Sequence, residues 1–120
     1  MTAVDALLVA LGAAVGAPLR YLANHWVRER TGATPPAGTL VVNVVGSFVL
    51  GALVGSGATG APLALVGIGF CGALTTFSTL ALEVWDAMAD GRRVHATAIV
   101  ALSLVLGIGA ATLGWALGAA

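Results

Sequence analysis

The sequence predicts an all-α integral membrane protein with four transmembrane helices. Apolar residues make up 59% of its 120 residues and charged residues only 8%, whereas soluble domains carry about 25% charged residues. Four apolar stretches are each long enough to cross a bilayer, and short polar segments separate them. Residues 1–120 are therefore expected to form a single four-helix membrane domain. The net charge is zero, which argues against nucleic acid as a partner.

The first two predicted helices are separated by a basic loop. The first covers residues 3–26 and is followed by residues 28–32, a polar stretch with two arginines. Prolines 35 and 36 then exclude a helix interior. The second predicted helix covers residues 38–54.

The third predicted helix, residues 62–88, contains a run of residues that disfavours a continuous helix. Pro62 suits its first turn, but Gly72, Thr75, Thr76, Ser78 and Thr79 cluster near its middle, and glycine and hydroxyl side chains are poor helix formers. A break at mid-membrane, near residues 72–76, is expected. Broken backbone there must be covered by protein or water, and its freed carbonyls can hold an ion. After a loop at residues 90–93, the fourth predicted helix covers residues 94–117.

Polar side chains within the apolar stretches are the candidate functional residues. Thr39, Asn43 and Ser47 are spaced by four and share one face of the second helix. The amide of Asn43 must be satisfied in the membrane and offers two donors. Ser103 is either a packing residue or a donor near mid-depth. Arg20 either snorkels to the interface or presents its charge to an aqueous vestibule.

Two further patterns concern packing and catalysis. Glycines four residues apart, at 12 and 16, 51 and 55, and 114 and 118, predict close approach of helix backbones, within the subunit or with a partner. Glu83 needs a cation, a donor or water. The sequence contains no recognisable set of catalytic residues, so an enzyme is not expected.

The arginines predict how the chain is oriented in the membrane. Arg28, Arg30, Arg92 and Arg93 all fall on the side that holds the first and third loops. Because short basic loops stay in the cytoplasm, both termini are expected outside. The alternative is that four arginines bias insertion without fixing it, which would permit dual topology.

Three segments in order along the chain resemble one family. They are residues 16–21, residues 38–48 with Gly51, and residues 69–79 running on to Glu83. Together they are similar to the Fluc (CrcB-type) fluoride channels, and the chain length and helix count also match. The resemblance covers nearly the whole chain.

The resemblance implies an antiparallel dimer with two fluoride pathways along the subunit boundary, in the cell inner membrane. It implies a structural Na⁺ at the dimer centre, held by the backbone carbonyls of Gly72 and Thr75 from both subunits. Phe77 would project into a pore, supported by Asn43, and Arg20 would lie near a vestibule. A polar track of hydroxyls completes the implied pathway: Thr76, Ser78, Thr79 and Ser103. Such donors could replace the hydration of fluoride, and the electropositive edge of the Phe77 ring could face the anion. Transport would be passive export of cytoplasmic fluoride.

One departure from the family leaves alternatives open. The family usually reads Phe-Ser-Thr-Phe, whereas this chain has Leu80 in place of the second phenylalanine. The chain could therefore be a non-conducting structural subunit that completes a partner's channel. An inverted paralogue, rather than a second copy, is the expected partner. A small dual-topology exporter would need a membrane-embedded carboxylate in the first helix, and Asp5 is too near the terminus.

Overall fold

The computed structural model describes residues 2–32 and 36–120, and these are almost entirely helical. Helix α1 spans Ala3–Thr31, α2 spans Pro36–Gly55, α4 spans Phe77–Ala89 and α5 spans Arg93–Ala119. Between α2 and α4, a π-helical stretch (Leu63–Cys71) continues into one α-helical turn (Gly72–Leu74); we call residues 63–74 α3. Within the described residues, four helical segments are long and apolar enough to cross a membrane, α3 and α4 together forming the third. The predicted all-α class with four apolar spans is confirmed.

The ends of the first two helices differ from the prediction. Helix α1 continues five residues beyond Trp26, because Arg28 and Glu29 are good helix formers although they are not apolar. It ends at Gly32, whose φ of 64° is left-handed. Pro36 opens α2 as its first residue, a position where the missing N–H is tolerated, and Pro35 lies outside the described residues. Apolar length marks the part of a helix suited to the membrane, not the whole helix.

The third span is interrupted at two threonines. Thr75 (φ −85°, ψ 158°) and Thr76 (φ −149°, ψ 124°) are extended, and the helix restarts at Phe77. Gly72 keeps helical angles (φ −62°, ψ −36°), so the extended residues occupy only the last two positions of the predicted range 72–76. Glycine permits a break, but the partners of the backbone groups decide where it occurs.

The glycine pairs confirm the predicted close helix contacts, and these contacts lie within one subunit. A Cβ at Gly12 or Gly16 of α1 would overlap backbone carbonyls of α3. The pairs on α2 and α5 face each other in the same way: Gly51, Gly55, Gly114 and Gly118. Small residues thus bring backbones into direct contact.

Helix α2 is the centre of the bundle and touches every other helix. Gly114 lies against Phe48, and Gly118 lies against Ala52, so α2 and α5 run in the same direction. The long dimension of the subunit is 46 Å, close to the full thickness of a bilayer with its headgroups. Because of this central position, one residue of α2 can reach the interruption in the third span.

Candidate functional site

The carboxamide of Asn43 holds the interruption open. Its Oδ1 accepts the Thr76 N–H at 2.8 Å, and its Nδ2 donates to the Thr76 carbonyl at 3.0 Å. Asn43 therefore pairs with Thr76 as a neighbouring strand would, and satisfies both backbone groups of an extended residue. Gly46, one turn further along α2, allows this approach, because a Cβ there would overlap the Thr75 side chain. One Nδ2 hydrogen is left after the Thr76 contact.

Thr76 also starts the next helix. Its hydroxyl accepts the Thr79 N–H at 3.2 Å, as an N-cap side chain does. The same hydroxyl donates to Thr79 Oγ1 at 3.1 Å and lies 3.4 Å from Ser78 Oγ. Three of the hydroxyls predicted to form a polar track thus form one cluster. Thr76 is buried, whereas Ser78 and Thr79 are exposed at the surface of the subunit.

A groove of about 420 Å³ runs beside the interruption, between α2, the third span and α5. Phe77 lies at its edge and is 82% exposed, although it is apolar. The groove brings together most of the predicted site residues: Asn43, Gly72, Thr75, Thr76, Phe77 and Ser103. Ser78 and Thr79 do not line it and connect to it through Thr76. Leu80 also lines it.

The carbonyls of Gly72 and Thr75 both depart from ordinary helical pairing. In an uninterrupted helix the Thr76 N–H would bond to the Gly72 carbonyl, but here it donates to Asn43. Gly72 is exposed, and a Cβ added there would meet nothing within 4 Å. The Thr75 carbonyl accepts a bond from Arg20 Nη1 at 3.3 Å. The Thr75 hydroxyl instead donates back to the Cys71 carbonyl at 2.8 Å, so this side chain is a poor candidate for a donor in the groove.

The Arg20 side chain thus reaches the interruption and is not directed toward the C-terminal end of α1. Its guanidinium is half-buried and bonds to backbone 55 residues away in sequence. A cation is thereby placed beside the extended segment.

Glu83 and Thr39 extend the polar residues in the direction of the arginine loops. Glu83 lies one helical turn beyond Thr79 on α4, and Thr39 lies one turn before Asn43 on α2. Thr39 is 1% exposed, and its side chain lies close to the carboxyl group of Glu83. In the described part of the chain, Glu83 Oε1 is buried without a hydrogen-bond partner. Sequence reasoning did not include this pair in the site, although the spacing of four on both helices was a usable signal.

Comparison with known proteins shows that the chain matches one family over most of its length. Residues 7–115 match a family model described as "CrcB-like protein, Camphor Resistance (CrcB)". A protein of Nocardia farcinica named "Fluoride-specific ion channel FluC 1" is 47% identical over 107 residues, which cover 89% of this chain and 75% of the relative. Proteins of the same name from Frankia casuarinae (46% identity; 92% of this chain, 93% of the relative) and Geobacillus kaustophilus (44%; 93% and 96%) are also similar.

Proposed function

Because this chain belongs to the CrcB-like family, we propose that it is a subunit of a passive, fluoride-selective channel in the cell membrane, through which cytoplasmic fluoride leaves the cell. The observation that supports this most is the pairing of Asn43 with Thr76. It holds an interrupted helix open beside a groove in an otherwise apolar bundle. The exposed ring of Phe77 and the hydroxyl of Ser103 lie along that groove.

The residues of the groove suit a small anion that holds its water tightly. The remaining Nδ2 hydrogen of Asn43 and the hydroxyl of Ser103 can each donate to it, and the exposed hydroxyl of Ser78 can donate to it outside the groove. The edge of the Phe77 ring carries positive partial charge and can face the anion without forming a strong bond. Since the surrounding walls are apolar, each of these contacts is stronger than it would be in water. Donors spaced along a narrow path let the ion pass from one to the next, and no step requires an energy source.

A second subunit, inverted relative to the first, would close the groove. Phe77 is 82% exposed on an isolated subunit, and a partner that covers this face would convert an open groove into a pore. An antiparallel pair would place the two interruptions together at mid-membrane. Arg20, which donates to the Thr75 carbonyl, would then lie at the base of an aqueous vestibule that reaches down to the interruption.

The carbonyls at the interruption fit a structural Na⁺. The Gly72 carbonyl has lost its usual helical donor and lies at an open surface. The Thr75 carbonyl keeps a second lone pair beside its single bond from Arg20. Two such carbonyls from each subunit are hard oxygen ligands, the type of ligand that suits a hard cation. When bound, the ion would supply positive charge at the dimer centre and link the two chains.

Leu80 supports a paralogue as the partner, and with it a second candidate function. Leu80 lines the groove beside Phe77, where a leucine has no electropositive edge to face an anion. A partner that retains a phenylalanine would supply the missing ring, and this chain could then act as the supporting subunit of a mixed channel. Relatives named both FluC 1 and FluC 2 are consistent with pairs of such proteins.

The hydrogen bonds of Asp5 argue against the alternative of a small dual-topology exporter. Its Oδ2 accepts from the Thr2 N–H at 2.9 Å and from the Thr2 hydroxyl at 3.0 Å, so this carboxylate caps the start of α1. It is committed to a helix end and is not a carboxylate embedded in the membrane.

Fluoride efflux from liposomes tests the proposal. The chain reconstituted alone, and again with a paralogue, should release fluoride but retain chloride. Phe77→Ile should abolish release, whereas Trp85→Ile, at another exposed aromatic residue of α4 that does not line the groove, should not. Release only with the paralogue would favour the supporting-subunit alternative, and no release under either condition would contradict both.

A further inference from the structure

A second, larger groove lies on the opposite side of α2 from the groove that contains Asn43 and Phe77, which we call the ion groove. It has a volume of about 630 Å³ and lies between α1 and α2, with Phe70 and Leu74 of α3 at its floor. Val41 and Val45 of α2 line it, whereas Asn43 of the same helix lines the ion groove. Residues two apart on a helix are rotated by about 200° around its axis, so their side chains point in nearly opposite directions. The two grooves therefore open on opposite faces of the subunit.

This position determines what the groove faces. In the dimer proposed above, the partner covers the face that carries Phe77, so the groove between α1 and α2 is left facing the lipid. Its α1 wall is a stripe at positions 19, 22, 23 and 26, the spacing of one helix face. We call it the lipid-side groove.

Charge occurs at only one end of the lipid-side groove. Almost all of its walls are aliphatic or aromatic, and the two polar residues, His25 and Glu29, belong to the last two turns of α1. At the same end, the Arg30 guanidinium lies over the Trp26 ring, 5.6 Å from the ring centroid. The mouth thus has the Glu29 carboxylate in its lining and the Arg30 guanidinium over one of its lining rings, at the level where lipid headgroups lie.

We propose that the lipid-side groove binds one acyl chain of a phospholipid whose headgroup carries both a phosphate and a primary ammonium group, as in phosphatidylethanolamine. The chain lies along the apolar stripe from Leu19 to Trp26. Arg30 donates to the phosphate, and Glu29 accepts from the ammonium. An anionic headgroup without the amine would leave Glu29 facing negative charge, so the mouth favours the zwitterionic lipid. This site is independent of the ion pathway and does not require fluoride conduction.

Trp26 provides a direct probe of occupancy. With Trp85→Phe and Trp115→Phe, Trp26 is the only tryptophan, and the protein in detergent micelles can be titrated with phosphatidylethanolamine brominated in its acyl chains. Bromine quenches tryptophan only in contact, so a bound chain should give saturable quenching at one lipid per protein chain. A matched variant that retains only Trp85, which lines neither groove, should show weak quenching that rises without saturation.

Two variants test the groove and the mouth separately. Val45→Phe should fill the groove and raise the lipid concentration at half-saturation about tenfold, roughly the effect of displacing two chain methylenes. Val105→Phe, at a more exposed valine of α5 that lines neither groove, should leave that concentration unchanged. Glu29→Gln should reduce the preference for phosphatidylethanolamine over phosphatidylglycerol about threefold. This second test remains valid even if Val45→Phe fails to fold.

Three results would overturn the proposal. The first is quenching of Trp26 that does not saturate. The second is the same half-saturation for Val45→Phe as for Val105→Phe. The third is equal or stronger quenching of the parent by brominated phosphatidylglycerol. Because each readout is lipid binding in micelles, these outcomes are separate from any failure of fluoride efflux.

Discussion

Replacing Asn43 by alanine should abolish conduction while leaving the subunit folded. The substitution removes the acceptor for the Thr76 N–H and the donor to the Thr76 carbonyl, and Thr76 is buried. Leaving a buried backbone group unsatisfied costs about 1–3 kcal/mol, so holding the same interruption would cost about 2–6 kcal/mol. The chain can avoid most of this penalty if the Thr76 N–H bonds to the Gly72 carbonyl and the third span becomes continuous.

That rearrangement predicts two linked measurements. Fluoride efflux from liposomes should fall at least about a hundredfold, which corresponds to roughly 2.7 kcal/mol. Hydrogen exchange at the Thr76 amide, followed by NMR, should change in the same variant, because the partner of that amide changes. Far-ultraviolet circular dichroism should show helix content equal to or above that of the parent.

Asn24→Ala is a suitable control, because Asn24 is another half-buried amide and contacts Gly38, away from the interruption. It should leave both efflux and Thr76 exchange near parental values. Parental efflux together with parental exchange in Asn43→Ala would refute the reasoning. Loss of efflux with unchanged exchange would limit Asn43 to a donor for the ion and exclude its role in holding the interruption.

Three other predictions follow from the same contacts. Gly114→Ala should lower the thermal midpoint of the subunit by an amount equivalent to about 1–3 kcal/mol, because the added Cβ would overlap the backbone of α2. Gly109→Ala should leave the midpoint unchanged, because a Cβ there would meet nothing within 4 Å. Equal midpoints for the two variants would contradict the packing of α2 on α5. Replacing Na⁺ by a bulky organic cation should weaken the dimer, measured by cross-linking in micelles, and dimer yield independent of the cation would exclude a structural Na⁺. Cysteine placed at Ala58 should be labelled from outside intact cells and cysteine at Arg30 should not; equal labelling would mean dual topology and remove the orientation argument for a paralogue partner.

Much of the fold could be predicted because it depends on patterns close together in sequence. Apolar length gave the four spans, and the spacing of glycines such as Gly51 and Gly55 gave the close helix contacts. Both are local properties, since a span must satisfy its own backbone and a glycine ridge lies on one helix face.

The details of the site could not be predicted in the same way because they depend on contacts between distant segments. The interruption falls at Thr75 and Thr76 since Asn43, 33 residues earlier, takes over the Thr76 backbone. The position of Arg20 depends on a carbonyl 55 residues later. Low helix propensity indicated a part of the third span where the helix is easily interrupted, and Asn43 on α2 determines which residues become extended.

The hydrogen bonds between Asn43 and the Thr76 backbone also bear on how the chain inserts into the membrane and folds. The chain enters the bilayer one span after another, and in lipid every backbone group needs a partner from the start. Until the second and third spans meet, the partner available to the Thr76 N–H is the Gly72 carbonyl of its own span. The third span is thus expected to enter as one uninterrupted rod and to open only when α2 docks. The groove is then a product of assembly, and a subunit whose helices have inserted but not yet packed remains sealed to ions.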